Sequence, residues 1–344
     1  MARRKRTGRK KKSSGGTLLL LLLVLVIAAG GAAWLVLTPF GPQSETFVEV
    51  APGSSTARIG QQLEAAGIVR SQYAFDLMRW VERGKLKAGE YRFDHAAPVT
   101  EIWARIARGD VYTISVTIPE GANVFDIAGR LEQAGFCARQ EFLDAQARQV
   151  NLIADLDPAA KSLEGYLFPD TYRFARKAAP VQILTVMVKR FRTEAAQLGL
   201  KENVHPIVTL ASLVERETAV DGERPLVASV FTNRLSRQMP LMTDPAVIYG
   251  LELGGRWRGE IYASDLKLDT PYNTYLHAGL PPGPVANPGA KALRAAMEPA
   301  KTDYLYFVAA GANAQGRSLF ASTLEEHQKN VAGYRHALKR AGGR

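Results

Sequence analysis

The sequence predicts an α+β protein behind an N-terminal membrane-spanning helix, and three observations carry that prediction. Leu18 to Leu37 is a run of twenty residues without a charge, long enough to cross a bilayer core as a helix. The chain resembles itself at an offset of 68 residues, each copy reading as a strand followed by an amphipathic helix. From about Leu163 onward, helical patterns alternate with aromatic and proline clusters and end near one short strand, Tyr304-Leu305-Tyr306-Phe307-Val308. Mixed helices and short strands argue for an α+β domain rather than alternating βαβ units. With 344 residues, 47% hydrophobic and 22% charged, the chain has room for two or three modest domains, and collagen-like, coiled-coil or globally disordered organisation is excluded.

Residues 1–16 form a basic tail. Eight of the 44 Lys and Arg residues (Arg3, Arg4, Lys5, Arg6, Arg9, Lys10, Lys11, Lys12) fall in the first twelve positions, leaving 36 cations against 33 carboxylates for the rest of the chain. A body so near neutrality is not the basic surface of a nucleic-acid-binding protein, and no nucleic-acid partner is expected. The tail is instead the flank of a membrane span at 17–37, whose charge asymmetry places the N-terminus in the cytoplasm. A cleaved signal peptide is the alternative, but the apolar run continues past Ala28-Ala29-Gly30-Gly31-Ala32-Ala33 into Trp34-Leu35-Val36-Leu37, which favours an uncleaved anchor. Thr38 to Glu45, with Pro39, Gly41 and Pro42, reads as a short linker.

The repeat comes next. Val48, Val50, Gly53, Ile59, Leu63, Glu64, Ala66 and Gly67 align with Val116, Ile118, Gly121, Ile127, Leu131, Glu132, Ala134 and Gly135. Alternating apolar residues make each copy begin as a strand, a glycine turn follows, and a helix closes on Gly67 or Gly135 as its C-cap. The economical reading is two small βα units, near 46–80 and 114–150, within a region spanning 46–155 that precedes a catalytic domain at 156–344.

Cys137 is the single cysteine, so an internal disulfide is impossible, and without a neighbouring histidine it reads as a small hydrophobe in the helix-like stretch Leu131 to Phe142. The five histidines lack ligand-like spacing, and there is no glycine-rich phosphate loop. No metal or cofactor is expected.

Helix patterns cover 181–198, 205 or 206 to 218, and 223–235. The second, Pro206 to Thr218, is the most informative. At about 100° per residue, Ile207, Leu210, Leu213, Val214 and Glu217 share one face, while Glu215 and Arg216 fall on or near the polar side. A carboxyl group ending an apolar helix face is desolvated, its pKa rises, and a carboxylic acid protonated near neutrality is what glycosidic bond cleavage needs. The bland alternative is that Glu217 caps the helix end. A second cluster, Ser162 to Phe174, holds four aromatics and Glu164 and Asp170; it suits either a carbohydrate platform or an aromatic corner between packed segments. Further polar groups on expected loops come from Gln238 to Gly250, including Thr243-Asp244-Pro245, and from Pro271-Tyr272-Asn273-Thr274-Tyr275.

These segments carry a resemblance. Glu164-Gly165-Tyr166-Leu167-Phe168-Pro169-Asp170-Thr171-Tyr172, Ala211 to Thr218, Val230-Phe231-Thr232-Asn233-Arg234-Leu235, Thr243-Asp244-Pro245, Tyr272-Asn273-Thr274-Tyr275, Gly279-Leu280-Pro281-Pro282-Gly283 and the Phe320 to His327 stretch are similar, in order, to the endolytic murein transglycosylases of the YceG-like family. The resemblance implies a LysM-like peptidoglycan-binding region over the repeats and a lytic transglycosylase domain after them. It matches the family's catalytic glutamate to Glu217, ranked ahead of Glu215. It also implies single-pass anchoring in a bacterial inner membrane with the catalytic domain outside the cytoplasm, peptidoglycan glycan strands as substrate, and peptidoglycan synthases as candidate partners. In the reaction implied, protonated Glu217 donates to the glycosidic oxygen, then accepts the proton of the muramoyl C6 hydroxyl as that oxygen attacks C1, leaving a 1,6-anhydro end. Glu164, Asn233, Asp244, Tyr272 and Asn273 are the candidates for holding the sugars. Two rivals remain: a lysozyme-type hydrolase with Asp244 or Glu223 as second carboxylate, and a wall-binding scaffold in which Glu217 is structural.

Overall fold

A computed structural model describes residues 14–82, 84–311 and 316–342. Most of the basic tail therefore lies outside the described residues. The chain divides into two compact units, Met1–Thr113 and Ile114–Arg344.

The first unit opens with α1 (Ser14–Leu37), of which Gly16–Leu37 is long and apolar enough to cross a membrane. The linker expected after it is tied down: Phe40 and Ala97 exchange backbone hydrogen bonds of 3.1 Å. Then follow β1 (Thr46–Val50), α2 (Thr56–Ala65), α3 (Gln72–Val81), β2 (Gly89–Phe93) and α4 (Val99–Arg108). Strands β1 and β2 pair antiparallel, from Thr46 opposite Phe93 to Val50 opposite Gly89. Val48, Val50, Ile59, Leu63, Phe75, Met78, Tyr91, Phe93, Ile102, Trp103 and Ile106 form the core, and Val36 from the end of α1 joins it.

The second unit begins with β3 (Thr113–Thr117), which straddles the boundary, then α5 (Val124–Gln133) and α6 (Arg139–Arg148). After a turn-rich stretch comes β4 (Thr171–Ala175), which pairs with β3. The chain continues through α7 (Pro180–Leu198), α8 (Val204–Glu217), α9 (Arg224–Ser236), α10 (Asp244–Leu253), α11 (Ala290–Met297), β5 (Tyr306–Ala309), β6 (Ser318–Ala321) and α12 (Leu324–Gly342). Strands β5 and β6 form an antiparallel hairpin.

The self-similarity is structural. Ile59 and Leu63 are buried in one unit as Ile127 and Leu131 are in the other. Gly53 and Gly121 both take φ of 77°, and Gly67 and Gly135 take 70° and 78°, left-handed values that a Cβ would strain. Each copy nonetheless exceeds the βα unit expected: a second helix follows, then a strand that returns to pair with the first. That return moves the boundary. The compact units part between Thr113 and Ile114, not near residue 155, because β4 lies beyond 155. Val116, Ile118, Ile127, Leu131 and Phe142 also share one core with Leu163, Tyr166, Ile183 and Val208. A fragment starting at residue 156 would lack β3, α5 and α6, and with them part of that core.

The helices expected over 181–198, 205/206–218 and 223–235 are present as α7, α8 and α9. By contrast, the stretch after Gln238 read as loop contains α10. Its start was legible: Thr243 at the N-cap, an acidic residue in the first turn and Pro245 at an early helical position are start signals. Cys137, expected within a helix, lies between α5 and α6 and is half-buried.

Candidate active site

Helix α8 is the axis of the second unit, packed against α9, α10 and α11, and Val208 to Val214 is buried all round. Glu217 is its last residue, half-buried, and points into a cavity of about 340 Å³ lined also by Phe231, Arg234, Leu241, Met242, Asp244, Tyr275, Phe307 and His327. Burial raises the Glu217 pKa, the Asp244 charge adds to the rise, and Arg234 and Arg216 oppose it. A position at the negative end of the helix dipole also disfavours the charged form. The Thr243 hydroxyl, buried and without a hydrogen bond of good geometry, lies close enough to favour the charged form. Desolvation outweighs the opposing cations, so the carboxyl holds its proton to higher pH than an ordinary glutamate.

The walls are built by backbone accounting. Arg234 donates from Nε to the Leu305 carbonyl (2.7 Å) and from Nη1 to that of Leu241 (2.9 Å), joining α9 to the chain before β5 and to the approach to α10. Met242, at φ of 51°, sits in a left-handed conformation that costs a non-glycine residue energy and often marks a functional turn. The Met242 N–H donates to the Thr274 carbonyl (3.1 Å) and the Thr243 N–H to Thr274 Oγ1 (3.0 Å). These bonds pin the 272–275 loop against the start of α10, and Tyr275 then donates its hydroxyl to Asp244 Oδ1 at 2.7 Å. From α12, His327 stacks on Tyr306 with centroids 5.1 Å apart, and burial together with the Arg234 cation lowers its pKa, favouring the neutral imidazole.

Of the residues expected to hold sugars, only Asp244 shares the cavity with Glu217. The others have structural partners. Asn233 donates to the Thr302 and Tyr304 carbonyls at 2.8 and 2.9 Å. Asn273 is fully buried, donates to the Leu266 and Leu268 carbonyls and accepts from the Tyr275 N–H; it shapes the loop that delivers Tyr275. Tyr272 packs edge-on against Tyr249 and lines a different cavity with Phe125 and Leu143. Glu164 is 1% exposed and accepts from the Val124 N–H at the start of α5 (2.9 Å) and from Asn287 Nδ2 (2.8 Å). The aromatics around it, Tyr166, Phe168, Tyr172 and Phe174, are buried, so this cluster is an aromatic corner rather than a sugar platform.

Glu215 is also corrected. Its side chain, expected toward the polar side, is 4% exposed and paired with Arg224 at 2.9 Å, while also accepting from the Gly289 N–H. Glu223 accepts from the Ser318 N–H at 2.8 Å and lies outside the Glu217 cavity. Arg234, Tyr275, Phe307 and His327 line the cavity without being among the residues the sequence singles out. Arg234, Tyr275 and His327 stand inside motifs quoted for the resemblance, which was the available signal. A larger cavity of about 630 Å³ beside α11 is lined by the exposed Glu298 and by Asp221, which is paired with Lys291 and Arg224 and held below the usual carboxylate range.

Glu164 yields a pH prediction. Burial pushes its pKa from 4.5 up to about 8 against the hydrogen bonds it accepts. The folded state therefore keeps a proton that the unfolded chain releases, so the stabilising contribution is complete below pH 4.5 and is lost as pH rises toward 8. Urea unfolding across that window should show stability falling with pH in the wild type, with a flatter profile for Glu164→Gln.

A half-buried carboxyl with a raised pKa, set in a polar cavity beside a second carboxylate and an arginine, is an arrangement suited to acid-base chemistry. The chain belongs to the YceG-like family, whose model matches residues 48–333. It is similar to a Bacillus subtilis protein named endolytic murein transglycosylase, 33% identical over 317 residues and 86% of each chain. A Streptococcus pneumoniae protein of the same name is 32% identical over 86% of this chain and 60% of its own length. Among solved structures, a YceG-like protein of Listeria monocytogenes is 32% identical, with a TM-score of 0.54 over 84% of this chain and 99% of that one.

Proposed function

We propose that the protein is a membrane-anchored endolytic murein transglycosylase, with peptidoglycan glycan strands as substrate. The observation that carries this reading is Glu217, a carboxyl biased toward its protonated form and facing the cavity, in a chain whose relatives bear that name. Protonated Glu217 donates to the oxygen of the bond between N-acetylmuramic acid and N-acetylglucosamine, and C1–O cleavage leaves a carboxylate. That carboxylate takes the proton of the muramoyl C6 hydroxyl as the oxygen closes on C1, giving a 1,6-anhydro end and restoring the acid. Asp244, Tyr275 and Arg234 hold the sugar hydroxyls and the N-acetyl group; Asn233, Asn273 and Glu164 act on substrate only through the backbone they fix. A lysozyme-type hydrolase is the second reading, favoured by Asp244 lining the same cavity.

The βααβ copies, one in each unit, support a LysM-like binding role for the repeats, and the anchor would keep the site beside synthases extruding nascent strands. Incubated with purified glycan strands, the enzyme should shorten them internally, mean length falling before small end fragments accumulate. Glycan binding with no shortening would leave only a wall-binding scaffold. For topology, a reporter fused after Arg344 should be active only outside the cytoplasm, with the basic N-terminus retained; a soluble protein starting between Ala33 and Glu45 would refute the anchor.

A further inference from the structure

One helix of the first unit carries an apolar face that the fold leaves uncovered. In α3, Ala74, Phe75 and Met78 are buried, while Tyr73, Leu77, Trp80 and Val81 are 76, 41, 76 and 68% exposed. At about 100° per residue these four fall within a single quadrant or so of the helix surface, beside the arc of Ala74, Met78 and Phe75 that faces the core. The second copy of the repeat provides an internal comparison. Its corresponding ten-residue helix, α6, places Gln140, Asp144, Ala147 and Arg148 at the same four positions counted from the helix start. The fold therefore does not require an apolar face there.

The surroundings of α3 identify what covers it. Helix α3 packs against α1. Arg70, immediately before the N-cap Ser71, stacks its guanidinium over the Trp34 ring at 4.4 Å and the Phe40 ring at 5.0 Å, and donates to the Pro39 carbonyl. Trp34 is near the last turn of the candidate span, where indole rings mark the membrane-water boundary. Helix α3 thus starts at the depth of that boundary, carrying a Tyr and a Trp of its own, with Arg79 over the Trp80 ring at 5.2 Å. An aromatic and aliphatic face edged by arginine matches a helix lying in an interface plane.

We propose that the Tyr73-Leu77-Trp80-Val81 face of α3 rests in the headgroup boundary of the leaflet from which α1 emerges, making the first unit a membrane-seated collar rather than a freely swinging module. This rests on reading α1 as membrane-spanning. The test is spin-label accessibility in the full chain reconstituted in bilayers containing anionic lipid. On a Cys137→Ala background, labels are placed singly at Leu77→Cys, Trp80→Cys, Leu25→Cys and the exposed Lys201→Cys. Labels at 77 and 80 should collide with dissolved oxygen in preference to a water-soluble nickel chelate, by a several-fold higher ratio than the label at 201. The label at 25 should lie deeper still. A water-like ratio at 77 and 80 with a lipid-like ratio at 25 overturns the collar while leaving the anchor standing; a water-like ratio at 25 overturns both. Dipolar broadening between labels at 77 of neighbouring copies, with no lipid contact, would make the face a dimer interface and refute the proposal. Because all four substituted side chains are exposed, circular dichroism of each labelled protein should match the parent.

Discussion

Glu217→Gln should remove strand cleavage by roughly 10²–10⁴-fold, the contribution of a positioned general acid-base group, while unfolding and glycan binding stay near wild type. The side chain ends α8 at the cavity rather than in the core, so an amide of the same shape leaves packing intact and removes only the transferable proton. The pH profile provides a second readout. Because burial raises the Glu217 pKa and the acid form begins the reaction, cleavage should decline as pH rises through that elevated pKa. The declining limb should vanish from whatever activity the Gln variant retains. Unchanged turnover in Glu217→Gln would remove this residue from the chemistry.

Glu215→Ala, two residues earlier on the same helix, should produce the opposite pattern. Its carboxylate faces Arg224, whose side chain is 5% exposed, and removing it leaves a buried cation whose remaining carboxylate partners among the described residues are Asp221 and the more distant Glu120. Breaking a buried ion pair from one side costs about 3 kcal/mol or more, and the Gly289 N–H loses its acceptor as well. Denaturant unfolding of the detergent-solubilised protein should record that loss, while cleavage per folded molecule remains measurable. These two outcomes together would separate chemistry from architecture within a single helical turn.

That pair also marks how far the sequence was legible. The place of Glu217 at the cavity is legible because a carboxyl continuing an apolar face is a local pattern. Glu215 was misjudged by the same wheel, since an angle does not reveal that α9, α10 and α11 surround α8. Asn233 is singled out by the resemblance and Asn273 as a polar group on an expected loop, yet their amides satisfy carbonyls at 302, 304, 266 and 268, partners no periodicity exposes. The repeat was readable from spaced glycines and apolar residues. The unit boundary was not, because β3 finds its partner far along the chain, with Thr117 and Thr171 hydroxyls 2.9 Å apart. Arg234, Tyr275 and His327 converge on Glu217 from α9, the 272–275 loop and α12, a meeting created only by long-range packing.

Whether Glu217 cuts strands without water is read from mass spectrometry of the new ends formed from defined glycan strands in ¹⁸O-labelled water. Fragments should terminate in 1,6-anhydro-N-acetylmuramic acid, lighter than the reducing sugar by one water and free of label, and should disappear with Glu217→Gln. Reducing ends carrying ¹⁸O would contradict cleavage without water and assign Glu217 and Asp244 to a hydrolase.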